Sequence, residues 1–126
     1  MKSILIVSVA LFVCASAAQA GVNSDLSRRI ESKVDSAHNK AATAQAAFDA
    51  GDANSGCRAL VGAARELDSG IDMSIRLVDE TTDKRSIGEN ADNYNLVQTM
   101  RFRLQSIVDE RRVVQQQLES RCHTAA

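Results

Sequence analysis

Apolar residues along the chain recur at alternating steps of three and four, the period of a helix lying on a core and not the alternation of a strand. In the first such segment Leu26, Ile30, Val34, Ala37, Ala41, Ala44 and Phe48 share one face, with Asn23 or Ser24 placed to cap the start and Gly51 to supply the stop. Asp52 can cap a second segment, in which Ala53, Cys57, Leu60, Ala64, Leu67, Ile71, Ile75 and Val78 keep the rhythm up to the polar stretch Asp79-Glu80-Thr81-Thr82-Asp83-Lys84. After Gly88, with Asn90 or Asp92 as cap, a third segment carries Tyr94, Val97, Met100, Leu104, Ile107, Val114, Leu118 and Cys122, and Arg111 is its one interruption. The pattern predicts three long helices over about 24–50, 52–80 and 91–122. Two short connections make neighbours antiparallel, an all-α, up-down-up bundle. Gly62 and Gly70 inside the second segment each cost about 1 kcal/mol relative to Ala, so a break at Ser69-Gly70 is the alternative. The stripe crosses Gly70 without losing phase, which favours one continuous helix.

Residues 1–20 follow a different pattern, that of a secretory signal. Lys2 is a short positive start, Ile4 to Val13 is an apolar run, and Ala18-Gln19-Ala20 is a small-residue end, so cleavage is expected before Gly21. A lipidated Cys14 is the competing reading, but Phe12 and Val13 before it are bulky where bacterial lipoprotein signals have small residues. Removal of residues 1–20 leaves 106 of 126, enough for one domain. From Gly21 onward no stretch approaches the roughly 18 uncharged apolar residues of a membrane anchor. A 44% hydrophobic content is too high for a disordered tail, and the absence of Pro removes the usual loop punctuation of sandwiches and barrels. The formal charge is −1, or −2 once Lys2 leaves with the signal, and the basic residues are interleaved with Glu31, Asp109 and Glu110. Electrostatic capture of nucleic acid or of an anionic membrane is therefore not expected.

Cys57 and Cys122 are the two cysteines of the exported part, and both are in phase with the apolar stripes. In an oxidising compartment such a pair is most simply a disulfide. Facing residues of an antiparallel hairpin have a constant sum of positions; the cysteine numbers sum to 179, which places the turn at 89 or 90, within Gly88-Glu89-Asn90. Turn residues and cysteines thus point independently to one register. The same register sets Asp68 opposite Arg111, with Glu66 half a turn away, and predicts an ion pair between the second and third helices.

Candidate chemistry is sparse. His38 and His123 are the only histidines, no C-x-x-C-H is present, and His38 falls level with about residue 64, roughly 10 Å along the helix from the Cys57 end. A joint metal site is beyond the reach of two ligands on one ion. A noncovalent haem on Met73 or Met100 would have few aromatic neighbours, since only Phe48, Phe102 and Tyr94 follow the signal. Ser86, Thr81 and Thr82 lie in a polar stretch with no histidine placed to activate them, and no Gly-rich phosphate loop occurs. The expectation is no enzyme, no metal and no cofactor. Phe102 points about 200° away from Met100 and Leu104 around the helix, and Val113 returns to nearly its direction. The two are the candidate interaction surface, for a protein partner or a second copy of the chain, against the plainer reading of two scattered exposed residues.

Ala44 and Phe48 before the Gly51-Asp52 turn, with Ala59, Leu60, Ala63 and Ala64 after it, resemble the helix-turn-helix unit of tetratricopeptide repeats. The likeness covers one unit, lacks the terminal Pro and has no second copy at a fixed period, so it implies no family. The reading reached by elimination is a small exported, periplasmic or secreted helical protein that binds without catalysis. Its alternatives are a carrier of a ligand, metal or cofactor between helices, and an envelope-stress chaperone-like factor.

Overall fold

A computed structural model describes residues 24–84 and 91–122 of the chain. Three helices follow in order: α1 (Ser24–Asp49), α2 (Ala53–Lys84) and α3 (Ala91–Arg121). The expected signal at 1–20 with Cys14, the turn residues Gly88 to Asn90, Ser86 and His123 lie outside the described residues.

Three residues, Ala50, Gly51 and Asp52, join the first two helices. Gly51 has φ of 81°, the left-handed conformation that closes a helix at least cost when no Cβ is present. Its amide bonds the Phe48 carbonyl at 3.0 Å and the Asp52 amide bonds the Ala47 carbonyl at 2.9 Å, so α1 ends in a Schellman motif. Asp52 then opens α2: its Oδ1 accepts the Ser55 amide at 3.1 Å and its carbonyl accepts the Gly56 amide at 3.0 Å. The hydrogen bonds from the Ser55 side chain and backbone hold the Asp52 carboxyl below its ordinary range, and the Arg58 charge adds to them.

The contacts fix the register. Phe48 lies over Gly56, Lys40 over Gly62 and Val34 over Gly70, pairs whose numbers sum to 102–104. Cys57 bonds Cys122 and Asp68 meets Arg111, each pair summing to 179. Constant sums are the mark of antiparallel neighbours. Between α1 and α3 the separation is constant instead: Glu31 meets Arg103, and His38 meets Glu110 72 positions away, so these two run parallel. The order is up-down-up with α2 in contact with both partners.

Leu26, Ile30, Ala37 and Ala44 of α1, Leu60, Ala63, Ala64, Leu67 and Leu77 of α2, and Val97, Met100, Ile107 and Val114 of α3 form the buried core. Small residues dominate the seam between α1 and α2, where the backbones come close. A Cβ on Gly56 would stand 2.7 Å from the Phe48 ring, whereas one on Gly70 would find only ordinary contacts of 3.8–3.9 Å. The helix is continuous through Gly70.

Two expectations for α2 need correction. Its end lies at Lys84, not at about 80. Thr81 is buried and turns its hydroxyl onto the Leu77 carbonyl at 2.8 Å, so a polar stretch that reads as a loop continues as helix. The second is the inward face: buried positions keep a strict seven-residue repeat, Gly56, Ala63, Gly70 and Leu77 in one row and Leu60, Leu67, Ser74 and Thr81 in another, so Ser74 takes the inward place while Ile75 is 45% exposed, and Ala53 is exposed at the start. Ile75 follows Ile71 by four residues where the repeat calls for three, which turns it off the buried rows toward solvent.

Candidate functional site

The most constructed region is the pole where α1 ends, α2 begins and α3 ends. The Cys57–Cys122 disulfide spans a Cα–Cα distance of 5.7 Å there. Beside it the Arg121 guanidinium lies 4.8 Å from the centre of the Phe48 ring, and Arg121 Nη1 donates to Gln45 Oε1 at 3.5 Å. Phe48 is trapped between that cation and the Gly56 backbone, so one aromatic ring ties all three helices at the stapled end.

Further along the seam of α2 and α3, Arg111 Nε donates to Asp68 Oδ1 at 2.8 Å. Arg111 Nη1 also donates to Gln115 Oε1 at 3.0 Å, and Gln115 Nε2 to Glu119 Oε1 at 3.2 Å. The apolar stripe of α3 tolerates Arg111 because its stem packs along the seam while its head reaches this edge network.

Between α1 and α2, Glu66 accepts from Lys33 at 3.5 Å and Lys40 at 3.4 Å. The Ser36 hydroxyl is the main cause that holds the Glu66 carboxyl below its ordinary 4.5; partial burial opposes it, and the two lysine charges add to the lowering. Between α1 and α3, His38 Nε2 and Glu110 Oε2 are 3.0 Å apart. The cysteine register and the Gly51 turn, taken together, set α1 against α3 to within a turn of helix, so the His38 and Glu110 meeting was within reach of the sequence; the Glu66 clamp needed in addition the rotation of α1, which its Ala-rich face defines poorly.

Phe102 and Val113 are 74% and 43% exposed. They share a direction on α3 but stand eleven residues apart, about 16 Å along the axis, so they do not form one continuous patch. Among the described residues no group of three or more His, Cys, Asp or Glu is placed to hold a metal ion, and no helix is long and apolar enough to cross a membrane. Compared with known protein families, with curated proteins and with solved structures, the chain finds no match in any of the three.

Proposed function

We propose that this protein is a small exported, non-catalytic helical module that works in the periplasm or outside the cell by binding another macromolecule. The observation that carries the reading is the disulfide between Cys57 and Cys122. Bridges of this kind persist where thiols are not continually reduced, and a domain of about a hundred residues gains from one because its core is small. The signal-like pattern of residues 1–20 supports the same compartment. On this reading Phe102 and Val113 are contact residues, since an exposed aromatic side chain gives large apolar area at low entropic cost.

Expression of the full chain in a bacterial host, followed by fractionation and mass analysis, tests the export claim. The expected product begins at Gly21, leaves with the periplasmic fraction and resists alkylation until reduced. A product that keeps Met1 in the cytosol with two reactive thiols overturns it. Phe102→Ser tests the contact role: unchanged melting with weakened association supports it, and a clear fall in melting temperature assigns Phe102 to packing.

A further inference from the structure

Arg58, Arg65, Asp72 and Asp79 are all exposed and spaced by seven along α2, so they form one lengthwise stripe on its outward side. Among the described residues none of the four enters an ion pair. The stripe is basic in its first half and acidic in its second. Beside it lie the exposed large apolar residues of α2, Val61 at 39% and Ile75 at 45%. The midpoint of the charged stripe falls between Asp68 and Ser69, and that of Val61 and Ile75 falls on Asp68. Two separate features thus share one centre. A stripe that changes sign about its own centre repels a parallel copy of itself, Arg against Arg and Asp against Asp. It matches an antiparallel copy at every position.

We propose that the outward face of α2 is a homodimer surface, on which a second copy of this chain lies antiparallel about a two-fold axis near Asp68 and Ser69. Arg58 then meets Asp79 of the second copy and Arg65 meets Asp72, each pair occurring twice by symmetry. Val61 packs on Ile75 of the second copy on either side of the axis. Asp68 does not oppose its own image as a bare charge, because Arg111 holds it at 2.8 Å. The run from Arg58 to Asp79 is about 32 Å long and extends over about six turns of helix. Exposed aliphatic residues alone are ordinary; here the charges define the one orientation in which they meet. The inference rests on the interaction reading above by naming its partner, and uses a different face from Phe102 and Val113.

Sedimentation velocity of the disulfide-bonded protein, with two charge-reversed variants, tests it. One variant carries Arg58→Glu and Arg65→Glu and has an all-acidic stripe; the other carries Asp72→Arg and Asp79→Arg and has an all-basic one. Wild type is expected to dimerise and to weaken with added salt. Each variant alone should lose affinity by on the order of tenfold or more, and an equimolar mixture should recover a heterodimer. Unchanged thermal melting of the dilute variants shows that loss of dimer is not loss of fold. A monomeric wild type at high concentration overturns the proposal, as do variants that still self-associate or fail to recombine. A dimer abolished by Phe102→Ser but indifferent to both reversals also overturns it and leaves the interaction reading standing. Dimerisation of a chain that is not exported supports this surface while removing the compartment argued above.

Discussion

Gly56 and Gly70 are both buried glycines inside α2, and the same substitution should move stability in opposite directions at the two. At Gly70 the added methyl meets Lys33, Val34 and Ile107 at 3.8–3.9 Å, ordinary contact that needs no rearrangement. Removing the backbone entropy of glycine then dominates, and Gly70→Ala should stabilise by about 0.5–1 kcal/mol. At Gly56 the methyl would stand 2.7–2.8 Å from the Phe48 ring, which Arg121 covers on the other side. Overpacking dominates there, and Gly56→Ala should cost about 1–3 kcal/mol, recovered in part by adding Phe48→Leu. Parallel thermal melts check both; shifts of the same sign would contradict the contacts described. Glu66 gives a pH test. Its carboxyl is lowered in the folded state, so its contribution is complete above about pH 4.5 and is lost as pH falls through the folded value. The stability gap between wild type and Glu66→Gln should be full at neutral pH and close on acidification. A gap independent of pH would mean that the Ser36, Lys33 and Lys40 contacts do not act on the charged form.

At the scale of elements, the seam of α2 and α3 asks whether charge or apolar packing is worth more. Arg111 and Asp68 have side chains 26% and 56% exposed, and a pair so open to solvent contributes about 0–1 kcal/mol. Leu104 and Leu118 flank Arg111 one heptad away on either side. Arg111→Leu should therefore leave the melting temperature unchanged or raise it slightly; a loss of more than about 2 kcal/mol by denaturant titration would show that the pair counts as buried. The helices themselves were legible because Leu26, Ile30, Leu60, Leu67, Ile107 and Val114 recur at helical spacing, and Gly51 with Asp52 carries both a stop and a start signal. What was not legible has physical causes. Thr81 and Thr82 look like a loop by composition, yet a threonine that bonds the carbonyl four residues back can lie inside a helix. Ile75 reads as a core residue because it is apolar, but the inward place seven residues after Leu67 belongs to the polar Ser74, which composition alone does not mark as buried. The interhelical polar contacts of Glu66 and Arg121 depend on rotations of helices about their axes, which a periodicity alone fixes only coarsely.

At the scale of the molecule, one covalent bond ties the entry of α2 to the exit of α3. Its loop spans 65 residues, and in the chain-entropy model closing a loop of that size contributes about 4 kcal/mol. Net stabilities of single domains are typically about 5–15 kcal/mol, so the bridge is a large share of what keeps three helices together. The two cysteines were legible as a pair because they satisfied, with the turn residues, a single register; Asp68 and Arg111 follow from that register without further information. The most direct test is a far-UV melt of the purified protein before and after reduction, with thiol alkylation to establish the state of both cysteines. No alkylation is expected until reductant is added, and the reduced protein should melt lower by roughly 15 °C or more. Free thiols in the unreduced protein, or one melting temperature for both states, would contradict the role of this bond.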